Sequence, residues 1–317
     1  MATTNVSDQK QNYSEKVQDL YCQLHKATVV HDQLTFIAVL NAFLSITAFL
    51  GNVLVLVALR KESSLHPPSK LLFRSLAVTD LCVGIISEPL YVTFLVTVVN
   101  QNLNICRYVA VALSLTGRIL PLASLLTLTA ISVDRLLALL LGLRYRQVIT
   151  LKRTSLIIIT FWVLPTVFAT ISLVWSSPIA SRCRTIVVSI CLVTSIFSYT
   201  KIFLTLRHHQ KQVQDHVQQP NQTNQLNIAR FRRAVSTALW LKFALVICYL
   251  PRGISKHLFI NSEPSSSSIL ALSYTGTLVI LHSSLNPILY CWKIVEVRQA
   301  MKGTIRQILC RWSLVEL

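Results

Sequence analysis

Seven stretches of this chain, at about 34–59, 71–99, 107–141, 155–175, 185–206, 234–260 and 268–292, are predominantly apolar over roughly twenty residues or more. Backbone N–H and C=O groups find no water in hydrocarbon, so only helices or closed strand barrels can cross it. The runs are unbroken rather than alternating, and only 7 of 317 residues are glycine, which points to helices. Charged residues make up 13% of the chain and hydrophobic ones 53%, with a mean hydropathy of +0.56. Soluble domains carry about a quarter charged residues, so the composition is that of a membrane protein. The predicted fold is an all-α membrane protein, a seven-helix transmembrane bundle with a short amphipathic eighth helix. No internal repeat is evident.

A formal charge of +18 raises the question of nucleic acid. Its placement answers against it. With residues 1–33 outside, the inner segments hold Arg60, Lys61, Lys70, Arg74, Arg144, Arg146, Lys152, Arg153, Lys201, Arg207, Lys211, Arg230, Arg232 and Arg233, followed by Lys293, Arg298, Lys302, Arg306 and Arg311. The outer loops hold few, and this asymmetry sets an N-terminus outside and a C-terminus inside. The basic loops would meet anionic lipid head groups. No cleavable signal peptide is expected, since the first residues are polar and the first apolar run is long enough to span.

Residues 1–33 are expected to be a disordered extracellular tail, 34–292 the bundle, and 293–317 a cytoplasmic amphipathic helix and tail. Asn5 and Asn12 open glycosylation tripeptides on the outer side, while Asn221 has the same pattern in a loop expected to face the cytosol and stay bare. Trp292 to Cys310 mixes apolar and basic residues at helical spacing, as in a helix lying on the inner leaflet. Cys310 there is either palmitoylated or a free thiol.

Polar groups inside the runs mark positions of interest. Asn52 must find a partner on another helix. Asp80 lies mid-span, where a carboxylate costs roughly 2.5–3.5 kcal/mol on insertion scales. Glu88-Pro89 frees a backbone carbonyl and is expected to kink the second run. Asp134-Arg135 closes the third. The outer halves carry cations: Arg118 stands about 25 Å from Arg135 by helical rise, Arg252 follows Pro251, and Lys256 lies one turn beyond it. One reading is that Arg118 and Arg252 clamp an anionic ligand, as forked guanidinium groups suit. The other is that Glu88 neutralises Arg118 and Lys256 only reaches water.

Asn52, Asp80 in LAVTD, Asp134-Arg135-Leu136, Trp162, Cys248-Tyr249-Leu250-Pro251 and Asn286-Pro287-Ile288-Leu289-Tyr290 follow one another, each in its own run. Together they resemble the rhodopsin-like (class A) family of G-protein-coupled receptors over nearly the whole chain after the tail. Leu136 stands for the Tyr of DRY and Tyr249 for the Trp of CWxP. The fifth run lacks the family's usual proline, an absence shared with melanocortin, lysophospholipid and cannabinoid receptors. The family's third-helix Cys is Ala110 here, with Cys106 one turn further out on the same face. The resemblance then implies a Cys106–Cys183 disulfide; Cys22 is left without an evident outer partner.

The resemblance also implies roles. Asp80, Ser124, Ser283 and Asn286 would surround an allosteric sodium ion; no other cofactor is expected. The plainer alternative is a buried acid satisfied by hydroxyls and Asn52. Arg135 would pair with Asp134 at rest and move toward Tyr199, Tyr290 and a heterotrimeric G protein on activation, with arrestin as a further partner. The base of the sixth run reads Arg230-Phe231-Arg232-Arg233, with no acid for a second clamp, so ligand-free signalling is expected. Pro251 and Pro287 would act as hinges, with Tyr249 at the pocket floor. Gly117 replaces the third-helix acid of amine receptors and Ile280 the lysine of opsins, which argues against amine and retinal ligands. The expected function is thus a plasma-membrane receptor for an extracellular, anionic or peptide agonist. A seven-helix transporter or channel is the alternative, though such proteins carry inverted repeats and broken helices. An enzyme is not expected, because no metal-ligand spacing, phosphate loop or acid pair is present.

Overall fold

The computed structural model describes residues 22, 28–61, 65–174, 178–216, 246–255, 258, 265–293, 298, 299, 301–303 and 306. Helix α1 spans Thr28–Lys61. Helix α2 (Pro67–Cys82), a π-helical turn (Val83–Ser87) and α3 (Glu88–Val99) form one continuous rod. Helix α4 (Leu103–Leu141) leads through a 3-10 turn, Gly142–Arg144, into the short α5 (Tyr145–Val148). Then come α6 (Leu151–Val174) and α7 (Pro178–His216). Residues 246–255 are helical, here α8, and α9 spans Ser266–Lys293. Among the described residues six rods are long and apolar enough to cross a membrane. The expected sixth run, 234–260, is described only at 246–255 and 258.

The rods are apolar on two faces for two reasons. In α1, Leu34, Ile37, Ala48 and Val55 are buried against other helices, while Phe36, Val39, Phe43 and Ile46 point outward. Lipid solvates the second set, so no polar outer face is required. Helix α4 occupies the middle, packing on α2, α3, α6 and α7, and α1 closes the far side against α2, α3 and α9.

Close approaches depend on small residues. A Cβ on Gly51 would come within 2.9 Å of the Pro287 ring. A Cβ on Gly84 would meet the Phe49 backbone nitrogen at 3.0 Å and the Ala48 side chain at 3.1 Å. Gly84 lies in the π turn, which is the form taken by the expected distortion at Glu88-Pro89. Pro89 has no N–H for the preceding turn, and its ring crowds the carbonyl four residues back. The helix widens there, and Ser45 of α1 donates to the Gly84 carbonyl at 2.7 Å. Helix α4 is capped by Asn102, whose side chain accepts from the Ile105 amide, and stops at Gly142 with φ +50°.

The disulfide differs from the expected one. Cys106 is bonded to Cys22, not to Cys183. Cys183 has no bond because helix α7 already begins at Pro178, which places Cys183 in a helix rather than in a loop over α4. Cys22 instead packs with Val30, Leu34, Tyr91, Leu95 and Cys106 in a buried cluster. With α1 beginning at Thr28, the part of the chain tied to the bundle also starts before the expected boundary at 34. A second cluster, Val55, Leu59, Leu72, Phe73, Leu76, Leu125, Leu128 and Ile131, fills the end nearer Arg135 and includes Met301 from beyond α9. Asn5, Asn12, Asn221, Arg230, Arg232, Arg233, Lys256 and Cys310 lie outside the described residues, as does the side chain of Tyr290.

Candidate functional site

The predicted ion-binding set converges at mid-depth. Asp80 on α2 is fully buried. Its Oδ1 accepts from Ser124 of α4 at 3.2 Å and from Ser283 of α9 at 2.9 Å, and its Oδ2 accepts from Asn286 of α9 at 2.7 Å. Asn52 of α1 is beside them: its amide donates to the Ala48 carbonyl at 2.8 Å and to the Ser283 carbonyl at 3.3 Å. Four rods are thereby tied by one carboxylate and its surroundings. The carbonyl oxygens of Asn52 and Asn286 are buried and have no donor among the described residues. Buried polar atoms left unpaired are costly, and a carboxylate, two hydroxyls and a spare amide oxygen are the donors a hard cation takes.

The Arg135 end is more fully bound than its sequence suggests. Arg135 Nη2 lies 3.1 Å from Asp134 Oδ2. The same carboxylate accepts from Ser69 of α2 at 2.8 Å and from the Tyr145 hydroxyl of α5. The guanidinium also stands over the Phe73 ring, 5.7 Å from its centre, a favourable cation–π placement. Tyr199 of α7 is buried with Leu136 and Ile202 and accepts from Ser132 of α4 at 3.1 Å. Ser69 and Tyr145 were not singled out by sequence. Tyr145 lies eleven residues after Asp134, across the break at Gly142, and no helical spacing relates the two.

On the disulfide side of Asp80, Arg118 of α4, about 18 Å along the helix from Cys106, keeps a buried Nη1 with no hydrogen-bond acceptor among the described residues. Arg252 of α8 donates to the Leu272 carbonyl of α9 at 2.5 Å. Gly276 lies alongside, where a Cβ would be in ordinary contact with the Arg252 Nη1 at 3.8 Å. Gly117 has open space beside it, with nothing within 4 Å of a built Cβ. Tyr249 donates to the Pro121 carbonyl at 3.2 Å and meets the His282 ring edge-on at 5.8 Å. Glu88 does not neutralise Arg118: among the described residues neither of its oxygens has a hydrogen-bond partner, and Arg118 has no ion pair. Its carboxyl is fully buried.

The chain belongs to the 7 transmembrane receptor family (rhodopsin family), matching it over residues 51–184 and 175–290. Members are multi-pass membrane receptors that act through G proteins, and are not enzymes. Similar proteins include melanocortin receptor 4 of Danio rerio, 27% identical over 301 residues, covering 90% of this chain and 87% of that receptor. Melanocortin receptor 3 of Homo sapiens is 26% identical over 288 residues, covering 84% and 83%. Melanocortin receptor 5 of Mus musculus is 26% identical over 280 residues, covering 83% and 82%.

Proposed function

We propose that the protein is a plasma-membrane receptor with its N-terminus outside, in which an anionic agonist on the disulfide side of Asp80 favours exposure of Arg135 to a heterotrimeric G protein. The observation that carries this reading is the Asp134–Arg135 pair at 3.1 Å, on a partly exposed guanidinium at the end of the central rod. Agonist contacts with Arg118 and Arg252 lie above Pro251 and Pro287, where each helix lacks a backbone hydrogen bond. A differential affinity of a few kcal/mol for the open form is enough to move the population. Arrestin binds the same opened end. The relatives are named as melanocortin receptors, but at about a quarter identity their ligand does not carry over.

Asp80, Ser124, Ser283 and Asn286 would hold a sodium ion in the resting form. When bound, the ion supplies the positive charge that a buried carboxylate otherwise lacks. The chain's own groups do the rest: the two serines orient the carboxylate, and Asn286 links it to the Pro287 hinge. Asp80→Asn is expected to abolish any effect of sodium on thermal stability.

The test of the main reading is nucleotide exchange on a purified G protein by membranes carrying the receptor. Ligand-free exchange should exceed that of mock membranes, and Arg135→Ala should return it to the mock level at matched expression. Exchange unchanged by Arg135→Ala overturns the reading.

A further inference from the structure

Helices α4 and α7 run in the same direction, since a single rod, α6, returns between them. They are joined near the Arg135 end by the Ser132–Tyr199 hydrogen bond and higher up by Ser195 donating to Thr129 at 3.2 Å. Arg118 precedes Ser132 by 14 residues and Arg184 precedes Tyr199 by 15. At the helical rise these are about 21 and about 22 Å, so the two arginines stand at one level. Arg184 is half-buried and feels the charge of both Arg118 and Arg252. Three guanidiniums from α4, α7 and α8 thus converge on the disulfide side of Asp80. Among the described residues none of the three has an ion pair, with Glu88 or with any other acid.

Like charges brought together out of water repel strongly and persist only where something offsets them. A single carboxylate would leave most of this charge uncompensated and offers only two oxygens. A phosphomonoester carries about −1.5 to −2 charges at pH 7 and three terminal oxygens, enough to give each guanidinium an acceptor. Among the described residues Arg118 Nη1 is without one, and Arg252 gives an N–H to the Leu272 carbonyl. Gly117, beside Arg118, leaves open space rather than a side chain.

We propose that Arg118, Arg184 and Arg252 together form a binding site for a phosphomonoester dianion. This rests on the anionic-agonist reading above and adds to it the third arginine and the phosphoryl class. The site is the same whether the group is a lipid head group or a small soluble phosphate.

The test is the thermal midpoint of the purified full-length receptor in detergent at fixed sodium and ionic strength, titrated separately with glycerol phosphate, a single-chain glycerophosphate lipid, succinate and acetate. Glycerol phosphate should raise the midpoint in a saturable way, as any ligand of the folded state does, and acetate should not. Arg184→Gln should raise the ligand-free midpoint, because repulsion is relieved, and yet raise the half-saturating phosphate concentration about tenfold, the loss expected for one charge-assisted contact. A merely structural arginine would not give these opposite signs. Arg184→Lys serves if the Gln variant does not fold: it keeps the charge but loses the fork, and should weaken half-saturation several-fold. Lipid half-saturating at least tenfold below glycerol phosphate identifies a lipid source, and equal values a soluble one. Succinate or acetate matching glycerol phosphate overturns the phosphoryl assignment. If Arg118→Gln and Arg252→Gln weaken anion binding and the Arg184 variants do not, the two-arginine pocket stands and the triad falls. If no anion shifts the midpoint, both fall.

Discussion

Asp134 takes hydrogen bonds from Ser69 and Tyr145 while pairing with Arg135, so its carboxylate is held from three directions. This arrangement offsets part of what the basic Arg230–Arg233 segment cannot supply as a second clamp. Tyr145→Phe removes one donor and should cost the resting form about 1 kcal/mol. Ligand-free nucleotide exchange should rise up to about fivefold, with Ser69→Ala giving a smaller rise; the readout is exchange at matched expression. Asp134-Arg135 was legible as a charged pair closing an apolar run, and Tyr199 only through the resemblance to the rhodopsin-like family. Neither could identify Tyr145, which reaches back from a separate short helix after a turn. At the Asp80 cluster, Asp80 and Asn52 were legible as isolated polar residues in apolar runs, whereas Ser124, Ser283 and Asn286 came only from the resemblance.

At the scale of helices, the rods were readable because lipid imposes length and composition on them. Their contacts were less so. Gly51 lies in an apolar run like any other glycine, and only the fold brings the rigid ring of Pro287 within 2.9 Å of its missing side chain. Gly51→Ala should therefore push α1 from α9 and cost about 1–3 kcal/mol, seen as a lower thermal midpoint in detergent. The π turn at Val83–Ser87 was anticipated as a distortion but not as a widening, since the carbonyl it frees is met by Ser45 on another rod. Ser45→Ala should lower stability by about 1 kcal/mol in the same measurement.

For the molecule as a whole, the bridge is the main departure from expectation. The Cys22–Cys106 bond closes 84 residues of sequence, including the first two rods. A loop of that size is worth on the order of 4 kcal/mol in the chain-entropy view. Cys22→Ser and Cys106→Ser should each lower the thermal midpoint, while Cys183→Ser leaves it unchanged; peptide mapping under non-reducing conditions should recover the linked Cys22 and Cys106 peptides. The resemblance misled here because it puts Cys183 in an outer loop, whereas its helix starts five residues earlier. The topology has its own check: Asn5 and Asn12 should carry glycan in cells and Asn221 none, by mass shift on enzymatic deglycosylation.

The same bridge makes the receptor's leading segment hard to shed. A protease that severs the backbone between Cys22 and Thr28 leaves two pieces still fastened through sulfur, so the cut is silent on a non-reducing gel and visible only after a thiol is added. Shedding of that segment in a tissue would need cleavage and reduction together.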